Sequence, residues 1–92
     1  MSYDQIDPAI QAWASNHTLP VYTQYKDVEV RSVELVGVSG QKVQIWIDQP
    51  LYGWVGVHVW NYKKLRQDWK VQTNKLEATL EQAYQKAMDW IA

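Results

Sequence analysis

The residues of this chain best suited to chemistry are an aspartate and a histidine in a tryptophan-rich stretch, KVQIWIDQPLYGWVGVHVWNYKK, residues 42–64. Asp48 ends one run of alternating apolar residues, and His58 lies within the next run. If neighbouring strands bring the two side chains together, the carboxylate can orient the imidazole for acid–base work. Neither Ser32 nor Ser39 is placed to complete a nucleophilic triad, so the pattern favours a polar surface pair over a catalytic one.

Other catalytic and metal-binding signatures are missing from the sequence. The chain contains no cysteine, which removes disulfides, thiolate metal sites and a cysteine nucleophile. Its two histidines do not have metal-ligand spacing, and it has neither a phosphate-binding glycine loop nor a nucleophile elbow. We therefore expect a protein that is not an enzyme and that binds no metal and no cofactor.

Length and composition indicate one small globular domain, residues 1–92. The chain is 47% hydrophobic and 21% charged, and its formal charge of -1 makes it a poor candidate for binding duplex nucleic acid. The polar N-terminus does not resemble a signal peptide, and no apolar run approaches the roughly 20 residues that cross a bilayer. We expect a cytoplasmic protein with no membrane contact.

Residues 42–64 also alternate with a period of two, which is typical of β-strands. One set of alternate positions is aliphatic: Val43, Ile45, Ile47, Val55, Val57 and Val59. The other set is Gln44, Trp46, Asp48, Trp54, Gly56, His58, Trp60 and Tyr62. Helices at the two ends of the chain can bury only one face of a sheet, so the tryptophan set is predicted to lie on the other face.

The extended pattern predicts three strands and a weaker fourth, near residues 27–37, 41–48, 54–62 and 65–71. In the first strand, Val28 and Val30 have the opposite parity to Val33 and Leu35. An extra residue would restore a single inward face, which predicts a β-bulge at Arg31–Ser32.

The connection between the first two predicted strands fits a three-residue hairpin over Val38–Gly40. Its last residue must be left-handed, a conformation that glycine adopts without steric cost. In this register Leu35 lies opposite Val43. Val33 then lies opposite Ile45, so apolar residues face apolar residues.

Two helices flank the strands. The first is predicted to begin at Asp7-Pro8, with the aspartate as a cap, and to bury Ile10, Trp13 and Ala14. It is predicted to end near His17, which has a capping or solvent role. Asn74 and Glu77 predict a capping box at the start of the second helix. Its apolar stripe consists of Leu76, Leu80, Ala83, Ala87 and Trp90, widened by Tyr84, Met88 and Ile91.

These elements predict an α+β fold, an antiparallel meander of three to four strands with both helices packed on one face. The same element order occurs in the double-stranded-RNA-binding domain. That family has a lysine-rich motif at the start of its second helix, whereas here the helix opens TNKLEATLEQ, with one lysine and two glutamates. The shared element order alone, without those residues, does not imply RNA binding.

The tryptophan face has three interpretations. Its aromatics can pack as a minor cluster, partly covered by residues 19–25 and 49–53. They can bind a protein partner or a second copy of the chain. They can stack single-stranded bases or hold a small ligand. The phosphates of a nucleic acid would then lie near the basic run Lys63, Lys64, Arg66 and Lys70. Without a nucleic acid, this run is interpreted as a solvated strand edge.

Of these, we expect a non-catalytic protein-interaction module, and a single-stranded nucleic-acid binder is the alternative. The predicted partner-binding residues are Trp46, Trp54, His58, Trp60 and Tyr62.

Overall fold

A computed structural model describes residues 2–92 and shows a five-stranded antiparallel sheet with two helices. The helices are α1 (Asp7–Asn16) and α2 (Leu76–Ile91). The strands are β1 (Tyr22–Tyr25), β2 (Val28–Val36), β3 (Lys42–Ile47), β4 (Trp54–Trp60) and β5 (Arg66–Gln72). Short 3-10 turns at Tyr3–Gln5 and Thr73–Lys75 precede the two helices.

The predicted α+β class is confirmed, and the four predicted strands are β2 to β5. The prediction missed β1, which pairs with β2 at the edge of the sheet. All four residues of β1 are exposed. Residues 19–25, which were expected to cover part of the aromatic cluster, therefore include an additional strand.

The predicted register of the β2–β3 hairpin is confirmed. Val33 pairs with Ile45, and Leu35 pairs with Val43. Gly40 has a φ of 84° and ends the three-residue loop, which is closed by a 2.7 Å hydrogen bond from the Gly37 amide to the Gln41 carbonyl.

An extra residue also interrupts β2 close to the predicted bulge. Tyr22 lies opposite Ser32 and Gln24 lies opposite Glu29, so two steps along β1 match three steps along β2. The irregularity therefore falls between Glu29 and Ser32. It does not bring the preceding valines into the core, because Val28 is 60% exposed and Val30 is only half-buried.

The core lies between one face of the sheet and α2. The aliphatic residues of β3 and β4 are buried against α2, while α1 packs mainly against α2 rather than on the strands. The α2 stripe is confirmed at Leu76, Leu80, Ala83, Ala87 and Ile91. Its predicted extension to Met88 is wrong, because that side chain is 40% exposed.

Neither helix begins with the predicted cap. The Asp7 carboxylate instead accepts two hydrogen bonds from the buried Arg31 guanidinium, at 2.7 and 3.1 Å. The guanidinium also lies 4.4 Å from the centre of the Tyr3 ring. At α2, a 3-10 turn replaces the predicted capping box and no side chain caps the helix.

His17 joins the two helices. Its Nε2 lies 2.6 Å from a carboxylate oxygen of Glu81, and its ring stacks on Tyr84 with centroids 3.8 Å apart. His17 is the C-cap residue of α1, as predicted, and its amide donates to the carbonyls of Ala14 and Ser15, but its side chain packs on α2 instead of facing solvent. Because the Glu81 carboxylate is hydrogen-bonded to His17, the pKa of Glu81 is lowered.

None of the helices within residues 2–92 has the length and apolar character needed to cross a membrane.

Candidate functional site

The candidate site is the open face, defined as the side of the sheet turned away from α2. In β3 and β4, buried residues alternate with half-buried or exposed ones, and the latter form this face. Trp46 lies opposite His58, and Gln44 lies opposite Trp60. The predicted partner-binding residues of β3 and β4 therefore share the open face, although Trp54 lies apart from the others at the far end of β4.

A groove of about 850 Å³ crosses the open face on its β1–β2 side. Its aromatic lining residues are Tyr3, Tyr22, Tyr25, Trp46, Trp60 and Tyr62. Its carboxylates are Glu29, Glu34 and Asp48. We call this feature the aromatic groove. Its volume falls in the range of protein pockets that hold drug-sized ligands or side-chain anchors.

Tyr62 is fixed at the rim of the aromatic groove. Its hydroxyl donates a 2.7 Å hydrogen bond to Oε2 of Glu34, and its ring lies 4.8 Å from that of Trp60. Burial, together with this hydrogen bond, raises the pKa of Tyr62 to about 12. Its φ of 65° is unusual for a residue other than glycine, so the surrounding loop must hold it in place.

Asn61 provides that support from the start of the loop. Its Oδ1 accepts hydrogen bonds from the amides of Lys63, at 2.9 Å, and Leu65, at 3.0 Å. The Asn61 amide also donates to the Leu65 carbonyl at 3.1 Å. The strained backbone at position 62 is thus braced from both sides, which directs the tyrosine towards Glu34.

His58 is held between two aspartates beside the aromatic groove. Its Nε2 lies 2.8 Å from Asp48, and its Nδ1 lies 2.5 Å from Asp68. This hydrogen bond is the main reason that the pKa of Asp68 is lowered. Gly56 leaves room for the arrangement, because a Cβ there would collide with the Asp48 carboxylate and lie 3.1 Å from Nε2 of His58.

Both ring nitrogens of His58 are engaged, Nε2 by the Asp48 carboxylate and Nδ1 by the Asp68 carboxylate. Trp46 also stacks on this ring, with centroids 4.6 Å apart. The two aspartates thus hold the imidazole on which the Trp46 indole is stacked.

The predicted pairing of Asp48 with His58 is present, but Asp68 was missed. The available signal was the alternation in β5, where Asp68 has the opposite parity to the apolar Trp69 and Val71 and therefore belongs to the open face. The register confirms this arrangement, with Asp68 directly opposite His58.

The four predicted phosphate-binding residues are not gathered around the aromatic groove. Lys63 and Lys64 are exposed in the β4–β5 loop. Arg66 bonds to Asp68 at 3.0 Å, and its guanidinium lies 5.2 Å from the centre of the Trp46 ring. The fourth, Lys70, lines a separate hollow of about 650 Å³ that also contains Trp54.

Among residues 2–92, no three potential ligand side chains have the arrangement of a metal site. No protein-family model matches the chain, and neither a curated protein nor a solved structure matches it. Inferences about function therefore depend on the chemistry of the open face.

Proposed function

We propose that this protein is a non-catalytic interaction module that binds a partner protein through the aromatic groove. The observation that carries the proposal is an uncovered sheet face on which Tyr22, Trp46, Trp60 and Tyr62 line one concave surface. Apolar surfaces of this kind usually mark contact sites on soluble proteins. Tryptophan and tyrosine are also enriched among the residues that dominate binding energy.

The contacts of the rings support this proposal. Tyr62 is hydrogen-bonded to Glu34, Trp60 lies against Tyr62, and Trp46 is stacked on His58. Because these contacts exist without a partner, little side-chain entropy is lost when one binds.

The charges around the groove favour a protein partner over single-stranded nucleic acid. Bases could stack on the indoles, but the flanking phosphates would then approach Glu29, Glu34 and Asp48. Arg66, whose guanidinium lies 5.2 Å from the centre of the Trp46 ring, is already paired with Asp68. Nucleic-acid binders instead line their grooves with positive charge.

Peptide selection tests the proposal. The purified protein is used to select binders from a phage-displayed library of random peptides, and the enriched peptides are measured by calorimetry. We expect the Trp46→Ser/Trp60→Ser double variant to bind them at least tenfold more weakly. Tyr52→Asn is the matched control, because Tyr52 is 87% exposed, lies outside the aromatic groove and has a φ of 52° that asparagine tolerates.

Thermal unfolding of the double variant completes the test. The variant loses the stacking of Trp46 on His58 and the contacts of Trp60 with Tyr62 and the Lys63 carbonyl. All of these lie on the open face, so it should remain folded with a loss of stability of about 1–2 kcal/mol. A variant that cannot fold would assign the indoles to the core. Peptides that bind the variant and the wild type equally would place the contact surface elsewhere, and failure to enrich any peptide would contradict an interaction role. Light scattering across protein concentration tests for a second copy as the partner.

A further inference from the structure

The aromatic groove has an excess of negative charge. Three carboxylates line it, those of Glu29, Glu34 and Asp48, and its one lysine or arginine among residues 2–92 is Arg31. The Arg31 guanidinium is already bonded to Asp7 and to the Val30 carbonyl. That residue is also only 8% exposed, and Asp48 is paired with His58, so Glu29 and Glu34 are the groove carboxylates that form no ion pair within residues 2–92.

Glu34 is the carboxylate that a bound partner would cover. It is half-buried on β2, opposite Gln44, and its Oε2 accepts the Tyr62 hydrogen bond. Its Oε1 accepts no hydrogen bond from residues 2–92. A partner that covered this carboxylate without supplying positive charge would leave a buried and unpaired ion, which is strongly unfavourable.

We infer that the partner protein presents a cationic side chain, preferably arginine, whose head group pairs with Glu34 while its stem lies along Trp46 and Trp60. This inference depends on the proposed function and specifies the chemistry of its partner. Guanidinium groups pair with carboxylates and stack on aromatic faces. Arg66 shows within the chain that this surface accommodates a guanidinium 5.2 Å from the Trp46 ring centre.

The same charges disfavour two other occupants. A symmetric contact between two copies, centred on the aromatic groove, would bring the two Glu34 carboxylates together. Like charges opposed across an interface weaken binding. A nucleic acid would place its phosphates against the same carboxylates. A basic segment of another protein meets neither obstacle.

The test compares arginine with citrulline, a neutral side chain of nearly the same shape. Peptides selected on the wild-type protein should be enriched in arginine or lysine. Replacing the central arginine by citrulline should raise Kd at least tenfold, measured by calorimetry. Glu34→Gln should remove this preference, because glutamine can still accept the Tyr62 hydrogen bond but carries no charge. Glu77→Gln, which removes the same charge from an exposed position on α2, should retain the preference.

The outcomes separate this inference from the proposed function. If selected peptides bind the open face but the citrulline peptide binds equally well, the cationic partner is refuted and the interaction module stands. If no selected peptide depends on Trp46 and Trp60, both fail. A 12-residue oligothymidylate that shifts the indole NMR signals of these tryptophans would overturn the inference in favour of nucleic acid. A dimer that the double variant abolishes would overturn it in favour of a second copy.

Discussion

Leu80→Ala should be strongly destabilising, because Leu80 is fully buried in the core between α2 and the sheet. A leucine truncated at such a position costs about 2.7–5.0 kcal/mol, from lost burial and from the cavity that remains. We expect Leu80→Ala to lower the free energy of unfolding by about 3–4 kcal/mol. A domain of this size is stable by about 5–14 kcal/mol in total. Its unfolding entropy of about 0.19 kcal/mol/K converts the expected loss into a Tm lowered by about 15–20 °C.

Met88→Ala is the matched control, because the apolar pattern of α2 includes both residues but only Met88 is exposed, by 40%. We expect this change to cost less than about 1 kcal/mol, or about 5 °C in Tm. Thermal melts and urea unfolding followed by circular dichroism measure both variants. A Leu80→Ala protein that melts within a few degrees of wild type would refute the packing described above, as would equal losses in the two variants.

Three further predictions concern the backbone, a buried ion pair and pH. Gly40→Val should lower the free energy of unfolding by more than about 1 kcal/mol, because valine resists the φ of 84° at this position; an unchanged urea midpoint would contradict this. Asp7→Asn should cost about 1–3 kcal/mol by removing the charged partner of the buried Arg31, and wild-type stability in urea would show that the pair contributes nothing. The pKa of Asp68 is lowered in the folded protein, mainly by its hydrogen bond to His58. The resulting stabilisation is fully present above the ordinary aspartate pKa of 3.8 and is lost as the pH falls through the lower pKa of the folded state. Asp68→Asn should therefore flatten the acid side of a plot of urea midpoint against pH, and an unchanged slope there would refute the role of this bond.

The parts of the fold that were predictable from the sequence are those with strong local signals. The aliphatic rows of β3 and β4 alternate without interruption, so their inner face follows from the pattern alone. Gly40 suits the left-handed position of a three-residue loop, and that position sets the register that pairs Val33 with Ile45. The open position of Trp46 and Trp60 follows from the same alternation.

The missed features depend on residues distant in sequence. The four residues of β1 are all exposed, so they show no buried alternation, and this strand exists through its pairing with β2. Asp7 has the right type for a helix cap, but its carboxylate is taken by Arg31, 24 positions away. Tyr62 occupies a left-handed position that turn propensities assign to glycine or asparagine, so the β4–β5 loop gave no clear turn signal.

The strands of the sheet pair in chain order, so each pairing closes a loop of only a few residues. Little chain entropy is lost before such local contacts form, which favours rapid folding. The contact between His17 and Glu81 instead joins residues 64 positions apart. We expect the hairpins and α2 to be largely formed in the folding transition state and α1 to dock after it. His17→Ala should then increase the unfolding rate while leaving the refolding rate nearly unchanged.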